Sequence, residues 1–285
     1  MLKQLLFAGI SLFLFNSNLS AQTQTALFPE MPGMVSYTYR NSLSKDLSST
    51  LDTLKAMGIT DMEFSSLFGH TAADIKKELD KRGMICSSFG VGYKDLMEKT
   101  ATVAENAKTL GAKFVRVAWI PHEGAFSLED AEQTIADFNG VGKILKEDFD
   151  LTFCYHNHGY EFEQHGDGTL FDLIIQETNP EYVSFEMDIL WTFFPGADPA
   201  ELLIKYGDRF KLMHLKDLRQ SVKGNRSGGT PTENDVTLGT GQLDIPNIIR
   251  AAKKAGVQHF YLEDESPIYY QQVPKSIAYL HSLKN

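Results

Sequence analysis

Cysteine is nearly absent from this chain: two in 285 residues, Cys86 and Cys154, each set in an apolar, strand-like run. That scarcity excludes a disulfide-stapled scaffold and any cysteine-rich zinc module. Two buried thiols are the plain reading, and a single bridge between them stays open in an oxidising compartment. Positive charge is short too. With 27 basic against 37 acidic residues the formal net charge is −10, and no Lys/Arg cluster interleaved with aromatics offsets it. Such a field repels a phosphate backbone, so nucleic acid is set aside as a partner. No apolar run reaches the ~18 residues of a bilayer span, which argues against a stable membrane anchor. A glycine-rich phosphate turn after an early strand is also missing, which disfavours a doubly wound dinucleotide-binding sheet. Gly239-Thr240-Gly241 is a lone GxG outside any strand-to-helix turn and reads as loop flexibility.

The chain opens with a distinct N-terminal unit. Lys3 is basic, residues 5–15 are apolar, and residues 16–21 are small and polar. This is the pattern of a secretory signal, with cleavage expected after Ala21 and no cysteine following it to carry a lipid. Loss of Lys3 would leave 26 basic against 37 acidic residues, a net charge of −11. The expectation is an exported protein, periplasmic or secreted. Residues 22–285 show no shift in composition and read as one domain.

Within that domain strands and helices alternate. Strands are expected at 34–39, 61–65, 84–89, 114–120, 153–162, 183–191, 210–216 and 260–264. Helices are expected at 43–57, 72–81, 95–110, 127–149, 170–177, 199–206, 245–255 and 273–283. The punctuation fits. Gly58, Gly83 and Gly111 close helices, Ser127-Leu-Glu-Asp130 is a capping box, and Asp198-Pro199 is a cap followed by a first-turn proline. Eight strand-then-helix units in a chain of this length predict a single-domain (β/α)8 TIM barrel.

In such a barrel the chemistry sits at the carboxyl ends of the strands. The last four strands end in ionisable pairs spaced by two: His156 and His158, Glu186 and Asp188, His214 and Lys216, Glu263 and Glu265. Residues two apart in a strand share a face. Four neighbouring strands sending such pairs to one end would be costly unless mutual pairing or a metal compensated the charge. One residue from each strand, His156, Asp188, His214 and Glu263, forms a mixed N/O donor set suited to Mn²⁺, Zn²⁺, Co²⁺ or Fe²⁺ rather than Ca²⁺. Buried ion pairs or capped strand ends are the competing reading of each residue alone.

These residues also carry a resemblance. Met187-Asp-Ile-Leu-Trp191, Gly196-Ala-Asp-Pro199, His214-Leu-Lys-Asp217, Gly239-Thr-Gly-Gln-Leu-Asp244 and Leu262-Glu263 resemble the sugar phosphate isomerase/epimerase family, whose fold is a xylose isomerase-like barrel. The resemblance is most specific between residues 153 and 265. It implies a divalent metal on Glu, Asp, His and Glu from strands five to eight, which map onto positions 156, 188, 214 and 263. Three agree, and His156 departs. Family epimerases use the two glutamates to move protons on opposite faces of the substrate, so the departure puts symmetric epimerisation in doubt.

The resemblance further implies removal of a proton beside a sugar carbonyl through a metal-stabilised enediolate, with a small-molecule carbohydrate as substrate. Glu263, His158 or Glu161 would supply acid–base function, and Lys216 would neutralise a developing enolate oxygen, unless it is salt-bridged to Asp217 or Glu186. Trp119 and Trp191, with Tyr37 and Tyr39, are candidates to stack on sugar rings, and Glu186 and Arg116 are candidate substrate contacts. An exported branch suggests an alternative: a lyase or hydratase of 3-keto-glycosides acting by β-elimination, which needs one base and a metal. A non-catalytic periplasmic sugar-binding protein is the reading from another class. An endonuclease on the related barrel is disfavoured by the acidic charge. A homo-oligomer remains open.

Overall fold

The computed structural model describes residues 25–285, so the signal-like segment lies outside the described residues. Eight parallel strands close a barrel: β1 (Gly33–Val35), β2 (Asp61–Phe64), β3 (Ile85–Gly90), β4 (Phe114–Val117), β5 (Thr152–His156), β6 (Val183–Asp188), β7 (Phe210–Leu215) and β8 (His259–Leu262). Each strand pairs with its sequence neighbours, and β1 closes against β8. The helices between them bury one face on the outside of the barrel, as the single-domain (β/α)8 expectation requires. Side-chain caps set where several of them begin: Asp46, Thr71, Ser127, Thr169, Asp198 and Asp244 each accept a backbone N–H of the first turn.

The strand period explains what fills the barrel. Val35, Phe114, Cys154, Leu212 and Tyr261 form a small apolar cluster separate from the main core between sheet and helices. Two residues further along four of these strands stand Arg116, His156, His214 and Glu263. One step of the pleat therefore carries each strand from an apolar plug to a layer of ionisable groups near the carboxyl end. The two thiols fall in different layers, Cys154 in the plug and Cys86 in the outer core, and both are free.

Several expected boundaries move. The segment after β1 does not continue as strand but turns at once into a short 3-10 helix, Ser36–Tyr39. β4 stops at Val117, β5 at His156 and β6 at Asp188. Residues 157–162, read as strand from their aromatics, form a turn that includes the 3-10 helix Tyr160–Phe162. The third helix is split into Tyr93–Glu98 and Thr100–Leu110, and the last begins at Tyr269 and accommodates Pro274 within it. Trp119, Tyr160 and Trp191, from the stretches expected as strand, instead gather around His158 beyond the strand ends.

Candidate metal centre and active site

The four strand-end residues converge. His156 and Asp188 are the last residues of β5 and β6, His214 lies in β7, and Glu263 follows β8 by one residue. One ligand-capable atom from each lies within 4.8 Å of all the others; His156, Asp188 and His214 are buried and Glu263 half-buried. His156 Nε2 is 3.0 Å from His214 Nδ1 and 3.4 Å from Asp188 Oδ2, and Glu263 Oε2 is 3.1 Å from His214 Nδ1.

The donor set passes a test on its own atoms. Asp188 Oδ1 accepts the N–H of Trp191, capping the helix Ile189–Phe193, whereas buried Asp188 Oδ2 has no hydrogen-bond partner and points into the cluster. Burial alone would raise the Asp188 carboxyl, but the Lys216 charge and the adjacent imidazoles of His156 and His214 hold it well below its ordinary value. Lys216 and His214 likewise overcome burial to lower Glu263. Two imidazoles and two ionised carboxylates in this geometry suit a borderline divalent cation. His156, Asp188, His214 and Glu263 are the residues that could hold it.

A second layer supports the first. His214 Nε2 lies 2.8 Å from Glu63 Oε1, on β2, and 3.3 Å from Glu186 Oε1, on β6. Glu63 also accepts from Arg116 Nη2 at 2.7 Å and from Ser88 Oγ at 2.6 Å. Burial opposes ionisation of Glu63, yet Arg116 and His214 outweigh it and keep its carboxyl low. Glu186 is raised by burial and by the neighbouring charge of Glu63. Asn157 acts on the backbone instead. Its Oδ1 accepts the Asp188 N–H at 3.0 Å, and its Nδ2 donates to the Asp188 carbonyl and to Thr192 Oγ1. The amide thus stitches the end of β5 to the end of β6.

Above the cluster opens a cavity of about 570 Å3, with His156, His158, His214, Glu263, Arg116 and Trp191 among its lining residues. His158 is stacked on Trp191, ring centroids 4.9 Å apart, and its Nδ1 has no partner. Burial, reinforced by His156, drives its pKa down to about 3.

Several sequence expectations need correction. Glu161 does not face the cavity. Its Oε1 accepts from Tyr155 Oη and from the backbone N–H of His158, so it braces the turn that carries His158. Lys216 does not line the cavity either; its ammonium is held behind Glu263 and Glu265 at 3.2 and 2.9 Å, with Asp235 at 3.6 Å. Neither Asp217 nor Glu186 is its partner. Glu186 is wholly buried beneath the donor set, and Arg116, though it reaches the cavity, has its guanidinium committed to Glu63 and Glu186. Glu186 therefore has a supporting role, and Arg116 supports Glu63 and Glu186 while still lining the cavity. Trp119 and Trp191 line the cavity as expected, as does Tyr37, whereas Tyr39 is buried against Tyr269.

The Gly-Thr-Gly segment also acquires a reason. Asp217 accepts N–H bonds from Gly239, Gly241 and Leu243, besides that of Leu218, so the loop is wound around one carboxylate. A Cβ on Gly241 would fall 2.2 Å from Asp217 Oδ1, which is why glycine stands there.

A closed parallel barrel with two imidazoles and two carboxylates gathered at the carboxyl ends of four successive strands has the build of a metal-dependent barrel enzyme. The chain belongs to the xylose isomerase-like TIM barrel family, whose model matches residues 51–283. A sugar phosphate isomerase/epimerase from Parabacteroides distasonis superposes with a TM-score of 0.71 at 26% identity, covering 91% of this chain and 96% of that one. An inosose dehydratase of Geobacillus kaustophilus is 25% identical over 193 residues, 60% of this chain and 62% of that protein, so the match spans less than two thirds of the relative. The IolI protein, solved with a binding zinc atom, shares the fold with a TM-score of 0.68 at 16% identity, covering 88% of this chain and 95% of that one.

Proposed function

We propose that this chain is a divalent-metal-dependent enzyme that removes the proton beside a carbonyl of a neutral, oxidised carbohydrate and completes the reaction by β-elimination. The observation that carries this reading is the imidazole of His156 in a donor set where symmetric epimerisation would need a second glutamate. A bound cation would act as a Lewis acid on the substrate's carbonyl oxygen. The protein's own groups do the rest. His158 faces the cavity from the β5 side with no ligand duty, and the burial that lowers its pKa to about 3 keeps the imidazole neutral. The negative charge developing on the substrate would favour its protonated form, so it can accept the carbon-bound proton and return it to the departing oxygen. Glu263, on the β8 side, is fixed by His214 and Lys216. The relationship to an inosose dehydratase supports elimination, whereas the Parabacteroides structure supports a sugar isomerase/epimerase, the second reading. A phosphorylated substrate fits poorly: Arg116 is committed to two carboxylates, and Lys94, at the rim, is solvent-exposed near Glu98. We also read the chain as exported, on the strength of its N-terminal segment, where neutral sugars are the more accessible substrates.

The test is NMR of the Mn²⁺-loaded protein with aldoses, ketoses and 3-keto-glycosides in deuterated water. Loss of the β-substituent is the expected result, abolished in His158→Gln. Deuterium uptake with an isomerised or inverted sugar and no loss of substituent would establish the isomerase/epimerase reading instead. Ligand binding that survives chelation, without any proton exchange, would make it a binding protein.

A further inference from the structure

The outer half of the cavity differs in character from its floor. The ionisable groups of the donor set lie deep, whereas Tyr37, Tyr93, Lys94, Asp95, Trp119 and Pro121 line the approach. Two of these rings are exposed to a degree unusual for large aromatics: Trp119 at 44% and Tyr37 at 40%. Exposure here does not come with freedom. The Trp119 indole is stacked on His122 at 5.3 Å, meets Tyr160 edge-on at 4.6 Å, and packs against the edge of His158. The long loop after β7 closes on it from another side: at Gly228, which has a φ of +68°, a Cβ would fall 3.2 Å from Trp119 Cζ3 and 2.8 Å from Tyr160 Cδ1. Tyr37 is braced by the Arg40 guanidinium 4.2 Å from its ring centroid, while Arg40 Nη1 donates to the Tyr37 carbonyl at 2.7 Å. Each ring is thus fixed by its neighbours and still leaves surface open to the cavity.

An aromatic held rigid and left uncovered is a stacking surface, because it offers apolar area at little further cost in side-chain entropy. The cavity volume, about 570 Å3, lies in the roughly 300–1,000 Å3 class that accepts ligands larger than one six-membered ring. The approach also carries Lys94 and Asp95, exposed charged groups paired with Glu98 and Lys99 that retain capacity to bond to hydroxyls. We propose that the approach is a second sugar-binding subsite, in which Trp119 and Tyr37 stack on a pyranose ring glycosidically joined to the ring that reacts at the floor. The substrate is then a disaccharide-like glycoside rather than a free monosaccharide. This rests on the carbohydrate reading above but not on the reaction assigned to it.

Calorimetric titration of the full chain with unreactive sugars separates the two. Glucose probes the floor alone, cellobiose, maltose and trehalose probe both positions, and phenyl β-glucoside probes an apolar second ring. The best disaccharide should bind about tenfold tighter than glucose, on the scale of one good aromatic stack. Trp119→Ala should erase that margin while leaving glucose affinity within about twofold, and Trp119→Phe should restore part of it. Equal affinity for glucose and every disaccharide overturns the subsite. So does a Trp119→Ala loss shared equally by both sugars, a phenyl glucoside that outbinds the disaccharides, or no saturable binding of any sugar. Disaccharide preference without turnover would sink the elimination chemistry and leave the subsite standing.

Discussion

Glu63 Oε1 lies 2.8 Å from His214 Nε2, and this contact decides which nitrogen of the ring faces the donor set. A carboxylate on Nε2 keeps the proton there and leaves Nδ1 to the cluster, where it is 3.1 Å from Glu263 and 3.0 Å from His156. Arg116 and Ser88 in turn fix the carboxylate. Carboxylate partners of this kind orient a ligating imidazole and raise its basicity.

Removal of that carboxylate charge should therefore be felt at the metal. Glu63→Gln is expected to lower Mn²⁺ or Zn²⁺ affinity by about 10- to 100-fold, the range found for partners of ligating histidines. Competition titration against a chelating dye measures it. Affinity within about twofold of the parent would show that His214 is oriented by its packing alone.

Glu63 also marks how far the site was legible in the sequence. His156, Asp188, His214 and Glu263 could be read because each ends or follows a strand whose alternation was visible, and the closed barrel brings those ends together. The same two-residue step in β2 marks Glu63, in Asp61-Met-Glu-Phe64, but that strand lies outside the four whose carboxyl ends carry the paired ionisable residues. Glu161 misled for another reason: it lies close in sequence to His158, but strand parity sets it on the face opposite His156, and the chain in fact turns at Asn157 and sends the carboxylate behind Tyr155. Lys216 misled because spacing shows a shared direction but not depth. Only the fold shows that Glu263 and Glu265 stand between it and the cavity.

Asn157 connects two ligands through backbone rather than through charge. In Asn157→Ala the Asp188 amide and the Thr192 hydroxyl lose a fully buried partner, and the β5–β6 junction loosens. An unpaired buried polar group costs about 1–3 kcal/mol, so denaturant melts should show a loss of about 2 kcal/mol or more. Metal affinity should fall with it, since the Asp188 backbone no longer holds its side chain in place. Unchanged metal affinity in a destabilised variant would confine Asn157 to a structural role.

Asp217 organises the loop between β7 and the following helix by accepting four backbone N–H groups. Asp217→Ala leaves these donors without their shared acceptor. Hydrogen bonds to a charged group are worth about 1.5–3 kcal/mol each and are not additive, so a net loss of about 3 kcal/mol is expected. Hydrogen exchange should localise the damage to residues 236–243, with the helix Ile245–Ala255 retaining its protection. Uniform loss of protection across the barrel would show instead that the loop and barrel unfold as one unit.

Glu161 makes a stability prediction whose sign follows from its burial. The carboxyl is wholly buried, and loss of solvation moves its pKa from the ordinary 4.5 up to about 7, against the bonds from Tyr155, His158 and Gly159 that favour the charge. The folded state therefore holds this proton after the unfolded chain has released it. Its contribution to stability is fully present below pH 4.5 and is lost as pH rises to about 7, with no further change above that. At about 1.4 kcal/mol per pKa unit, the loss is of the order of 3 kcal/mol. Glu161→Gln keeps an oxygen for Tyr155 and His158 but cannot ionise. The difference in unfolding free energy between variant and parent should accordingly shift in the variant's favour between pH 4.5 and 7, as measured by urea melts across that window. A difference that stays constant with pH would mean that the native protein already ionises Glu161, and that the turn carrying His158 is held by a buried charge rather than by a neutral acid.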